Sequence, residues 1–220
     1  MRRIRLRSRS RSRGQALTEF ALITPLALLL VLGGFDLSVM ATDTALSVAA
    51  ARHAARLGAE LGGTNSNLGS CDGTLDPNTT TLASVDGPII QTVLAAMKNM
   101  SYVGGASNRG LPNRIDIYRP DIASRPDGSI NTAVDEHEYY LPTDTPPWSV
   151  EHKDANPSPP PAQVADYPLL DRCQGPLGSE ADIGVRVIWT FIPPNGIPGP
   201  SITLTEYAVE KMSLCSDNCN

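Results

Sequence analysis

The chain has 220 residues, of which 41% are hydrophobic and only 5% aromatic, with 19 prolines and 18 glycines. That length suits one domain of ordinary size plus an appendage, with a core of Ala, Val, Leu and Ile and much loop. The net charge of −5 is unevenly placed: seven of the eighteen Lys and Arg stand at positions 2, 3, 5, 7, 9, 11 and 13, and the remainder carries eleven basic against twenty-three acidic residues, a charge of −12. So acidic a body is poorly suited to nucleic acid or anionic lipid, and the basic part is confined to the end where targeting signals sit.

Residues 1–13 alternate Arg with Ser, Ile or Leu. The segment is too charged to bury and has no apolar helical face, which predicts disorder in isolation. Residues 20–35, FALITPLALLLVLGGF, contain no charge, and Leu37 and Val39 extend the run past Asp36. With Ala16 and Leu17 upstream, the stretch approaches the ~20 residues that cross a bilayer as a helix. Glu19 is the charge at its head, and Pro25 falls in its first turns, where lipid-embedded helices tolerate a kink. Arginines immediately before the span keep residues 1–14 in the cytoplasm and send the chain beyond about residue 40 to the other side of the membrane.

The helical pattern continues through residues 41–61, where Leu46, Ala50, Ala54, Leu57 and Leu61 recur on one face and Arg52, Arg56 and Glu60 on another. A helix over 16–61 is expected, stopping at Gly62 and Gly63. Residues 62–81 read as loop. Residues 84–100 read as a second helix with Val85, Ile89, Val93, Met97 and Met100 in a stripe. Strands are expected at 113–118, with Ile115 and Ile117 on one face, at 182–192, with Ile183, Val185, Val187 and Trp189 alternating, and at 201–212. Residues 120–175 show little periodicity, and eight prolines in 142–168 predict an exposed, irregular segment. The expected class is α+β: a long N-terminal helix, half of it transmembrane, then a small antiparallel sheet packed on helix. The expected divisions are a leader (1–14), a transmembrane helix (15–40), its amphipathic continuation (41–63) and an extracytoplasmic domain (64–220).

The junction Arg13-Gly14-Gln15-Ala16-Leu17-Thr18-Glu19-Phe20 has the shape of a prepilin-type signal: basic leader, Gly, four residues, Glu, an aromatic, then an apolar helix. A Gly suits a protease that grips backbone at the membrane surface. A carboxylate in the span costs about 2.5–3.5 kcal/mol at mid-membrane and less near the interface. Glu19 has a simpler reading, as an acid in the first turn of a helix. An ordinary secretory signal with a cut near SVMA at 38–41 leaves the Gly14–Glu19 spacing unexplained, and an RNA-binding Arg-Ser segment leaves the apolar run unexplained.

Residues 13–36, RGQALTEFALITPLALLLVLGGFD, resemble the TadE-like family, minor pseudopilins of the tight-adherence (Tad) pilus machinery. The resemblance rests on Arg13, Gly14, Gln15, Glu19, Phe20, Pro25, Phe35 and Asp36, with a weaker likeness at 183–212. It implies cleavage by a prepilin peptidase between Gly14 and Gln15, and an assembly role for Glu19 and Phe20 at the helix head. It also implies packing against other pilin subunits and lipid, and a single-pass location in the cytoplasmic membrane or in a pilus. The leader, the Pro-rich insertion and the cysteines depart from the family pattern.

Cys71, Cys173, Cys215 and Cys219 all fall in the exported part. Two disulfides are expected, with three pairings open and the C-terminal tail stapled by at least one. No clustered ligand set suggests a metal. Asp135-Glu136-His137-Glu138 reads as a solvated acidic loop, since it lacks the alternating oxygens and central Gly of a calcium loop. No nucleophile elbow, phosphate loop or dinucleotide fingerprint is present, so neither an enzyme nor a cofactor is expected. The rival to a pilus component is a single-pass protein whose 64–220 domain binds a ligand or surface.

Overall fold

The computed structural model describes residues 11–63, 82–100, 110–142, 152, 167, 182–196 and 199–212. Helix α1 runs unbroken from Arg11–Gly63 and helix α2 from Leu82–Met97. The strands are β1 (Arg114–Tyr118), β2 (His137–Tyr140), β3 (Asp182–Phe191) and β4 (Ile202–Lys211). They form one antiparallel sheet in the order β2-β1-β3-β4. The expected α+β class, long apolar helix and small antiparallel sheet are all present.

Alternation along β3 places Ile183, Val185, Val187, Trp189 and Phe191 on the face that meets the helices, all buried, opposite Ile115 and Ile117 of β1 in register. Burying such side chains stabilises by roughly 1.5–3 kcal/mol each. Helix α2 contributes Ile89, Ile90, Val93 and Met97 to the same core.

The second half of α1 buries a face shifted from the expected stripe, which it shares at Ala50 and Ala54. Ala50, Ala51, Ala54, Ala55 and Ala59 are the buried side chains, whereas Leu46 is exposed and Leu57 and Leu61 lie at the flank. The reason is close approach. A Cβ added to Gly58 would stand 2.8 Å from Ile183 Cδ1 and 3.1 Å from Ile89 Cδ1, so helix, sheet and α2 meet where only small residues fit.

Two expectations are corrected. The acidic tetrapeptide is not a solvated loop: His137 and Glu138 begin β2, and Asp135, His137 and Glu138 are buried. Asp135 pairs with Arg125, and the Tyr140 hydroxyl donates to Asp86 on α2 at 2.5 Å, with Glu138 a longer alternative acceptor at 3.3 Å. Arg125 neutralises Asp135, the Tyr140 hydroxyl reaches Glu138, and the Asp135 carbonyl meets His137 Nδ1 at 2.8 Å, which lets these polar groups enter strand and core. The helix also begins earlier than expected, at Arg11, and passes through Gly14. Arg, Ser and Gln are compatible with helix, and a single Gly weakens but does not break one.

Candidate functional site

The N-terminal part of α1 presents its apolar side chains outward. Leu17, Phe20, Leu22, Leu26, Leu30 and Val31 are each more than 60% exposed, and only 11% of the most apolar window of this helix is buried. A surface patch of that extent on a soluble monomer marks a protein or membrane contact. Residues 14–35 span about 33 Å at a rise of 1.5 Å per residue, close to the ~30 Å of a bilayer's hydrocarbon core. This helix meets the length and composition required of a single-pass anchor.

Polar groups inside the belt bond locally. Glu19 accepts from Gln15 Nε2 at 3.0 Å, Thr18 Oγ1 donates to the Gln15 carbonyl at 2.8 Å, and Thr24 Oγ1 to the Phe20 carbonyl at 2.7 Å. Such bonding lowers the cost of placing these groups in lipid. Pro25 lies inside the helix, and its missing N–H leaves the Ala21 carbonyl without the usual donor four residues on. Glu19 sits eight residues in from Arg11, so it does not occupy the first turn, which holds no acid. Gly14 is exposed, and a Cβ there would meet nothing within 4 Å. Among the described residues nothing requires glycine at this position.

Helix and domain meet first at Gly33 and Asp36, both buried although Phe35 and Leu37 beside them are 52% exposed. The Asn195 side chain donates to Asp36 Oδ1 at 2.7 Å and its backbone N–H to Oδ2 at 3.2 Å. Asn195 belongs to the turn joining β3 to β4, closed by the Gly196 N–H donating to the Pro193 carbonyl at 3.2 Å. Gly196 has φ 73, a left-handed conformation that glycine adopts readily. Two turns further on, Asp43 is buried with Oδ2 lacking a hydrogen-bond partner, and burial pushes its carboxyl above the ordinary value.

The opposite face of the sheet carries an ion cluster. Arg186 on β3 grips Asp116 on β1 with two bonds of 2.8 Å, and Arg114 adds a third at 2.7 Å while lying 3.7 Å over the Tyr139 ring. Tyr139 in turn stacks on His152. Tyr118 donates to the Gly128 carbonyl, and burial raises its phenol well above the usual range. Sequence reading missed this cluster and Asn195. Asp116 and Arg186 alternate with the core residues of their strands, which marks them as outward-facing but does not reveal that they pair.

Of the residues singled out from sequence, the structure groups Gly14, Gln15, Glu19, Phe20 and Pro25 along one exposed helical segment and sets Asp36 apart as a tether. Cys71, Cys173, Cys215 and Cys219 lie outside the described residues, as does all of 142–168 except residues 142, 152 and 167. Among the described residues no group of three His, Cys, Asp or Glu is arranged to hold a metal.

An exposed apolar helix tied at one depth to a small α+β domain defines the class of a single-pass, N-terminally anchored protein. Residues 14–56 match the model of the family described as TadE-like protein, which agrees with the resemblance carried by residues 13–36. The match covers the exposed belt, Asp36, Asp43 and the first part of the alanine face, and stops short of the sheet. No curated protein and no solved structure matches the chain.

Proposed function

We propose that this chain is a minor pseudopilin contributing to the assembly or structure of a Tad-type pilus, without catalytic activity of its own. The observation that carries the reading is the exposed belt of residues 14–35 headed by one carboxylate, within a segment that matches the TadE-like model. A prepilin peptidase would cut between Gly14 and Gln15. The cut would place Glu19 fifth from a new, positively charged N-terminus, so a carboxylate now deep in the helix would lie near its end, where an acid is favoured. In an assembly, the same carboxylate can meet the N-terminus of a neighbouring subunit and so be neutralised within lipid. Two supports are structural: the openness around Gly14, and the outward direction of Glu19 and Phe20. The domain beyond residue 40 is expected on the extracytoplasmic side.

The test is to isolate the protein from native membranes, determine its N-terminus, and compare wild type with Glu19→Ala for incorporation into pili. A start at Gln15, with membrane retention intact but pilus incorporation lost in the variant, is the expected result. An uncut start at Met1, or unchanged incorporation of Glu19→Ala, rejects the reading.

A further inference from the structure

We infer that the tip of the β3–β4 hairpin is a second membrane contact, which seats the domain on the lipid headgroups beside its own helix. The inference rests on the membrane-anchor reading of α1 and goes beyond it. Its first support is position. Asn195 at the tip is hydrogen-bonded to Asp36, and Asp36 immediately follows the uncharged apolar run that ends at Phe35. With residues 14–35 spanning the hydrocarbon, the tip stands at the bilayer boundary. A span that extends to residue 40 would place the tip deeper still.

Charge is the second support. No charged residue stands between Arg186 and Glu206, whereas the other end of the hairpin holds Asp182, Arg186, Glu206, Glu210 and Lys211. The chain beyond the leader is strongly acidic, so an uncharged stretch of this length is out of keeping with its surroundings. An acidic surface is repelled by anionic headgroups, and the hairpin presents to the bilayer the one end that is not acidic. The described tip residues Ile192, Pro193, Pro194, Asn195 and Gly196 are all apolar or uncharged, and Pro194 is exposed.

The third support is Asp36 itself. A carboxylate flanked by exposed Phe35 and Leu37 would face the interface unshielded, and the tip covers it and supplies two donors. Residues that bond Asp36 occupy the same depth as the lipid that contacts Phe35.

A photo-reactive benzoylphenylalanine placed singly at Pro194, at Leu29 in the belt, or at Ala123 tests this in the full-length chain. Ala123 lies in the loop that packs against the far end of the hairpin through Gly128 and Val209. Each protein is reconstituted in phosphatidylethanolamine–phosphatidylglycerol vesicles, irradiated and weighed by mass spectrometry. Lipid adducts at Pro194 and Leu29 but not at Ala123 are the expected result. A lipid adduct at Leu29 with none at Pro194 overturns the inference and leaves the anchor intact. A protein adduct at Pro194 also overturns it, making the tip a subunit contact. Absence of lipid from both positions rejects the anchor reading, and the inference with it.

Discussion

Asp36 and Asn195, 159 positions apart, are joined through both carboxylate oxygens of the one and both a backbone and a side-chain donor of the other. This pair fixes where along α1 the sheet begins, and so how far the domain stands from the end of the exposed belt. Hydrogen bonds to charged groups contribute about 1.5–3 kcal/mol net. Asp36→Ala and Asn195→Ala should each destabilise the domain by an amount in that range. Because the Asn195 N–H survives its own substitution, the double variant should cost less than the sum of the two. Denaturant melts of the full chain in nanodiscs, arranged as a double-mutant cycle, measure the coupling. Simple additivity would show that the pair does not hold the domain.

Gly184 lies under the ring of Tyr118, directly opposite it in the β1–β3 register. A Cβ there would come within 2.3 Å of Cζ and 2.5 Å of Cε2. The ring is rigid, buried and tied by its hydroxyl to the Gly128 carbonyl, so it cannot swing aside. Gly184→Ala should therefore destabilise by about 1–3 kcal/mol, the usual cost of overpacking. A melt equal to that of wild type would mean the ring has room to move.

Long, periodic elements were legible in the sequence, and features made by distant partners were not. The belt declares itself as a long uncharged apolar run, and α2, β1, β3 and β4 because a period of 3.6 or 2 runs through each. Strand β2 has four residues, HEYY, two of them polar and buried. His137 meets the Asp135 carbonyl and Glu138 lies within reach of the Tyr140 hydroxyl, which donates to Asp86 on α2, and no local pattern displays that. Along α1, Ala50 and Ala54 of the expected stripe are buried, but Ala51, Ala55 and Ala59 and not the leucines complete the contact, because size at a crowded contact outweighed hydrophobicity. In the candidate site, Gly14, Glu19 and Asp36 were conspicuous as exceptions to an apolar run, whereas Asn195 sits in an ordinary turn sequence and gains its role only in three dimensions.

Asp116 is fully buried between Arg114 and Arg186. Removing the carboxylate strands two guanidiniums in a low-dielectric setting, and breaking one side of a buried pair typically costs about 3–5 kcal/mol. Asp116→Ala should thus be among the most damaging single changes in the sheet. Replacing Asp116 and Arg186 together, by Leu and Met, should recover much of the loss. Thermal unfolding of the two variants beside wild type checks this, and equal losses in both would mean that packing, and not stranded charge, dominates.

Stability should respond to acid through Asp43 and Glu206. Burial raises both carboxyls above their ordinary values of 3.8 and 4.5. A raised folded-state pKa means that folding favours the protonated form, so each charge costs stability at neutral pH. The cost is relieved as pH falls through the folded value and is gone below the unfolded one. Asp121 and Asp127 act in the opposite sense. Hydrogen bonds from Ser124 and Ser129 lower their carboxyls, so the stability they contribute is lost in acid. Comparison with a variant isolates the first effect. Asp43→Asn should be more stable than wild type at pH 7, and the difference should shrink on acidification and vanish below pH 3.8. A difference independent of pH would trace the effect to something other than the buried charge.

Gly14 offers the cleanest separation of folding from processing. Its surroundings are open and its backbone is helical, so alanine is accommodated without contact. Exchanging Gly for Ala inside a helix stabilises it by about 1 kcal/mol. Gly14→Ala should therefore leave the domain's melting unchanged and firm the helix around residue 14, a change that amide exchange in nanodiscs can read. If a peptidase requires glycine there and must draw the backbone out of the helix before cutting, the same substitution should abolish cleavage in cells. N-terminal sequencing of the accumulated protein would then find the leader still attached. Normal cleavage of the variant would mean that neither the missing side chain nor the weakness of the helix at this point is what a protease reads, and that glycine at this position serves another purpose.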